Sequence, residues 1–219
     1  MSNGFRPQYS SEESLIVNDI KLTVKKVKNS NFDMVTDIGN GKRNKAVRLS
    51  ETQLVKIKKS LTKKMDFPKI AVVDFDNHKI SASAIGGYDS KSGVLYINSK
   101  YDTKIKIIEY VTRQKGYFAN KTESAPFLHE LGHKYYYDSI KSIAKFQNIG
   151  YSEAKKRIDY AVYKYLDNYE KKFLTRNVSV YADTQEVSEI CAECFSIYGN
   201  NIYATEIIDL IEEIVRYDA

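Results

Sequence analysis

From Ser50 onward the apolar positions fall into clear periods. Behind "SETQ", Leu54, Ile57 and Leu61 recur at helical spacing, which predicts a helix with Ser50 as N-cap, Gln53 reaching back to it, and an end before Pro68. "KIAVVDF" is a continuous apolar run of strand length and predicts a buried strand. "KISASAIGGYD" and "GVLYIN" read as two strands joined by the turn "DSKSG". Together these predict a small twisted sheet backed by a helix. Upstream the pattern is weaker: residues 1–15 read as a loose tail, and 16–48 mix short β-prone pieces with the turn chemistry of "NGKRNK".

After "NSKYD" only helical periods follow. A helix over roughly 103–117 carries Ile105, Ile108 and Val111, and a second begins near Ser124 with Pro126 in its first turn and closes by Gly150. "YSEAKKRIDYAVYKYLDNYEKKF" places Ile158, Val162, Tyr165, Tyr169 and Phe173 on one side of a long amphipathic helix, a stripe that reads as packing. "DTQEVSEICAECFSIYG" predicts a helix capped by Asp183 with Glu186 and stopped near Gly199, and "TEIIDLIEEIVRYD" supplies the last. The fold class is therefore α+β: a small mixed, mostly antiparallel sheet with a backing helix, then a helical subdomain. Residues 1–48 form a basic arm or small extension and 49–219 one domain.

Composition adds limits. A hydrophobic content of 42% and a charged content of 28% are those of a folded globular chain. No signal peptide or membrane span is visible, which places the protein in the bacterial cytoplasm or in a virion, with no membrane partner. The formal charge of +6 gathers early, in "KLTVKKVKNS", "GKRNK" and "KIKKSLTKK". Without a nucleic-acid motif beside it, this reads as a solvated lysine face rather than a nucleic-acid surface. Cys191 and Cys194 sit inside a predicted helix with no second pair, so they read as small core residues rather than a zinc or redox motif.

The chemistry concentrates in "FLHELGHKYYYD", residues 127–138. His129 and His133 are four apart, so a helix stacks both imidazoles on one face, where they can share a zinc ion. Glu130, about 100° round the helix, misses the metal but reaches a zinc-activated water as general base. A third ligand is needed. His78, in "FDNHKI", lies far upstream, and "KYYYDSIKSI" holds no further histidine, so elimination points to a carboxylate on a later helix. "EICAECF" supplies two on one face: Glu189 is assigned to the metal and Glu193 to a hydrogen bond with the far nitrogen of a ligand histidine. Gly132, in mid-helix, implies close approach by a neighbouring element. Asp138 reads as a solvent-exposed aspartate or as a group orienting a ligand histidine.

HELGH followed by "SVYADTQEVSEICAECF" resembles the gluzincin metallopeptidases. It looks most like the anthrax lethal-factor group and the zincin domains found with phage minor head proteins, over about residues 70–200. The resemblance implies a zincin-like fold, one catalytic Zn2+ on His129, His133 and Glu189, Glu130 as base, and Tyr181 helping to polarise the scissile carbonyl. A packing role for Tyr181 at a helix start is the alternative. It also implies that an antiparallel edge strand, mapped onto Ser83, Ala84, Ile85, Gly86 and Gly87, pairs with an extended substrate, as an exposed sheet edge can. The expected function is a zinc metalloendopeptidase of phage, prophage or mobile-element origin, with a protein or peptide substrate and phage structural proteins as partners. The alternatives are a non-enzymatic phage head or assembly module that keeps the fold, and a toxin or effector protease.

Overall fold

The computed structural model describes residues 6–37, 43–63, 65–81, 83–113, 115–183 and 186–217. The chain is α+β, with one mixed six-stranded sheet in the order β1-β2-β3-β4-β6-β5. The strands are β1 (Tyr9–Val17), β2 (Ile20–Val27), β3 (Met34–Thr36), β4 (Lys69–Val73), β5 (Gly86–Asp89) and β6 (Val94–Asn98). The helices are α1 (Arg43–Ser60), α2 (Lys104–Thr112), α3 (Ala125–Phe146), α4 (Tyr151–Leu166), α5 (Phe173–Asn177), α6 (Val180–Asp183), α7 (Val187–Ser196) and α8 (Ile202–Tyr217). The chain divides into two compact units, Met1–Tyr110 with Thr122–Glu130, and Val111–Lys121 with Leu131–Ala219. The division falls inside α3, which is one continuous helix.

In the first unit, β3, β4 and β6 run parallel while β1–β2, β2–β3 and β5–β6 pair antiparallel, so β1 and β5 are the edges. The alternation of the strands sorts side chains onto two faces. One gathers Leu15, Val17, Leu22, Val24, Val35 and Ala71 into a core closed by Phe75 and Ile80 from the β4–β5 connection. Alternate positions Met34, Ile70, Val72, Leu95 and Ile97 are equally buried, as are Val47, Leu54 and Ile57 of α1, which contacts β4. Burial on both faces is why β4 is a continuous apolar run.

Several expectations change here. The tail expected over 1–15 contains β1 from Tyr9, and the region expected as a basic arm or small extension supplies β1, β2 and β3 of the sheet. Val17 pairs with Ile20 across a two-residue turn, and Asn18 and Asp19 both take positive φ, 49° and 62°, the turn whose twist matches a hairpin. Of "NGKRNK", residues 40–42 lie outside the described residues and Arg43 already begins α1. Ser50 is therefore mid-helix, not an N-cap: Ala46, Val47, Ser50, Gln53, Leu54 and Ile57 form its buried face. Gln53 uses that burial, accepting a hydrogen bond from Ser124 Oγ at 2.9 Å. On α2, Ile107 and Val111 are buried whereas Ile105 and Ile108 are exposed, so the apolar face lies elsewhere than at Ile105 and Ile108.

The second unit is helical. α4 buries Ala154, Ile158 and Val162 and stops at Leu166, short of the long helix expected. Asn168 Nδ2 bonds the carbonyls of Lys164 and Tyr165, a side-chain competitor to the helical ladder. The aromatic stripe nonetheless continues as packing, with Tyr169 stacked on Phe173 at 3.9 Å and Phe173 edge-on to Tyr203 of α8 at 4.9 Å. Asp183 ends α6 and accepts from Thr175 Oγ1, so it does not cap α7; Glu186 occupies the N-cap position, and residues 184 and 185 lie outside the described residues. No described helix is long and apolar enough to cross a membrane.

Candidate metal centre

α3 carries His129 and His133 one turn apart. What brings a third group to them is the absence of a side chain at Gly132. A Cβ there would stand 2.7 Å from Ala192 Cα and 2.9 Å from Phe195 Cβ, so α3 and α7 meet backbone to backbone. α7 is buried at every position except Glu189. That residue leaves the helix toward α3, and its Oε2 lies 3.2 Å from His133 Nε2. His129, His133 and Glu189 each offer one ligand atom, and these atoms all lie within 4.8 Å of one another. Among the described residues this is the one group of three or more metal-ligating side chains so placed.

The donor set fits zinc. Two imidazoles and one carboxylate are a set zinc uses when one coordination position stays open. Bonds of about 2.0–2.1 Å at a tetrahedral angle put neighbouring ligand atoms about 3.3 Å apart, close to the 3.2 Å between His133 and Glu189. The side chains of these two residues are 12% and 23% exposed.

Glu130 is buried, 6% exposed, and sits in the first unit beside β5. A Cβ on Gly86 would stand 3.6 Å from Glu130 Cγ and 3.0 Å from Ile97 Cδ1. A Cβ on Gly87 would strike the Tyr96 hydroxyl at 2.2 Å, and that hydroxyl accepts from Asn18 Nδ2 at 2.6 Å. Burial pushes the Tyr96 phenol above its ordinary range; the Asn18 bond opposes this, and the Glu130 and Asp89 carboxylates add to it. β5 is an antiparallel edge strand, but of the five residues mapped to it only Gly86 and Gly87 belong to it. Ser83, Ala84 and Ile85 form the approach, where the carbonyls of Ala84 and Ile85 accept from Asn98 at 3.0 and 2.9 Å.

Glu193, only 2% exposed, accepts from the backbone N–H of Ala119 at 2.6 Å. It thereby pins a strap over 116–121, which Asn120 also ties to the Ser196 carbonyl at 2.7 Å. Burial lowers the pKa of Lys121 in that strap, and the nearby Glu193 opposes the shift. Tyr181, in α6, packs against Tyr117 and Phe118 with ring centroids at 5.3 and 5.6 Å, and its N–H bonds the Tyr117 carbonyl. Asp138 pairs with Lys134, one turn back on α3. His78 pairs with Asp37 at 2.7 Å, outside the group. Cys191 and Cys194 are fully buried thiols, and burial raises both well above their ordinary range.

No protein-family model, curated protein or solved structure matches the chain. The strap over 116–121 has no sequence signal, because Glu193 holds it through a backbone N–H.

Proposed function

We propose that the chain is a zinc-dependent metallopeptidase acting on protein or peptide substrates, with His129, His133 and Glu189 as the metal ligands. The observation that carries this reading is the convergence of their ligand atoms to within 4.8 Å. Bound there, zinc would supply Lewis acidity, bringing the pKa of a water toward 7 and polarising a carbonyl. Glu130 takes the proton from the attacking water and returns it to the leaving amine, which becomes the new N-terminus as the peptide C–N bond breaks. A substrate strand laid along β5 would pass beside Glu130, since Gly86 offers backbone there and no side chain. Glu193 keeps the strap over 116–121 on α7. The reading asks no step of Tyr181, whose ring packs among Tyr117 and Phe118.

Glu130→Gln separates this function from a zinc ion that only staples the fold. The variant is expected to hold as much zinc as wild type while cleavage of a quenched-peptide library falls by about 10²–10⁴-fold, the usual worth of a general base. Wild-type protein that binds no zinc, or a Glu130→Gln variant that cleaves as fast as wild type, would overturn the reading.

A further inference from the structure

The parallel part of the sheet gathers acidic side chains at one end. β3 and β4 pair from Met34 with Ile70 to Thr36 with Val72, so the residues that follow them, Asp37 and Asp74, leave the carboxyl ends of neighbouring strands. Open sheets hold their ligands outside such ends. Asp74 shapes the connection that follows: its Oδ1 accepts from the N–H groups of Asp76 at 3.1 Å and Asn77 at 3.3 Å, while Phe75 and Ile80 anchor the turn in the core. The turn brings His78 to Asp37. Its Nε2 donates to Asp37 Oδ2 at 2.7 Å, and the N–H of Asp74 donates to the same oxygen at 3.0 Å.

The other oxygen is the anomaly. The Asp37 side chain is 6% exposed, and its Oδ1 is buried with no hydrogen-bond donor among the described residues. A buried carboxylate oxygen is costly unless a donor or a cation meets it. We propose that Asp37 Oδ1 is the protein ligand of a hard divalent cation, Mg2+, held at the carboxyl ends of β3 and β4 and distinct from the ion on His129, His133 and Glu189. Mg2+ is bound through one or two carboxylates and keeps several waters, so it needs no group of three side chains. His78 acts as an outer partner: with Oδ2 engaged by two donors, the carboxylate presents Oδ1 to the ion. Asp74 and Asp76 add two negative charges in the turn against the one positive charge of Lys79.

The test uses the full chain with zinc in excess, so that a second metal is not drawn to His129 and His133, and reads the His78 ring by NMR. Mn2+, a paramagnetic stand-in for Mg2+, is expected to broaden the His78 signals; added Mg2+ should restore them and Na+ at equal ionic strength should not. Asp37→Asn keeps an acceptor for His78 but loses the charge. It is expected to raise the Mn2+ midpoint by more than the roughly 10–100-fold that loss of an outer partner costs. Asp76→Asn, which removes an exposed carboxylate from the same turn, should leave the midpoint unchanged. His78 signals that stay sharp, the result if Oδ1 holds only a buried water, would overturn the proposal, as would equal broadening in wild type and Asp37→Asn. Should Asp37→Asn fail to fold, the wild-type titration decides: restoration by Mg2+ alone supports the site, and restoration by Na+ contradicts it.

Discussion

Two regions of the molecule dispense with side chains where another residue must come close, and they do so differently. At the α3–α7 crossing, the place of a Gly132 side chain is taken by backbone: Ala192 Cα at 2.7 Å and Ala192 O at 3.0 Å. At the β5 edge, the place of a Gly87 side chain is taken by another side chain, the Tyr96 ring, with its hydroxyl at 2.2 Å. A ring can move at the cost of its hydrogen bond, whereas a helix backbone can yield only by shifting the whole helix. The first crossing sets where Glu189 stands relative to His133. The second sets only how a phenol lies beside a strand.

The comparison is sharpened most by Gly132→Ala. Overpacking a close contact costs about 1–3 kcal/mol, against about 1 kcal/mol gained from replacing a mid-helix glycine. A net loss of thermal stability is expected, together with weaker zinc binding, because α7 must back away and take Glu189 with it. Calorimetry and chelator competition on the same protein would check both. If Gly132→Ala were more stable and kept its zinc affinity, the backbone-to-backbone account of the crossing would be wrong.

Gly87→Ala should have the smaller effect. Its Cβ must displace the Tyr96 ring and break the bond from Asn18, a loss of roughly 0.5–1.5 kcal/mol for the hydrogen bond plus strain from the moved ring. Zinc affinity should be unchanged, since neither residue touches the metal group. Coupling is the sharper readout: Gly87→Ala combined with Tyr96→Leu is expected to cost less than the sum of the two single changes. Strict additivity in denaturant titrations would show that the ring is not what limits Gly87.

How much of this was legible in the sequence follows the same divide between local and distant causes. His129 and His133 could be placed on one face because four residues of helix fix that geometry by themselves. Glu189 could be nominated from the chemistry of an incomplete zinc set, and Gly132 from the oddity of glycine in mid-helix. The N-terminal strands were harder. In β1 the exposed positions are Ser11, Glu12, Ser14 and Ile16, and without a partner strand "YSSEES" carries no alternation to read. Ser50 reads as a cap only while "RNKAVRL" is taken for loop; once α1 reaches back to Arg43, the same serine becomes a core-facing position. Asp183 failed as a cap because it is itself the last residue of α6, and a helix of four residues leaves too short a period to detect. The strap held by Glu193 lay beyond reach, since Ala119 contributes only its N–H.

The most direct measurement is X-ray absorption at the zinc edge of the purified wild-type protein loaded with one equivalent of metal. The account expects nitrogen and oxygen ligands at about 2.0–2.1 Å, with imidazole scattering from two histidines, and no sulfur shell. Sulfur at about 2.3 Å would put the metal on Cys191 and Cys194 instead, and would contradict the assignment of His129, His133 and Glu189.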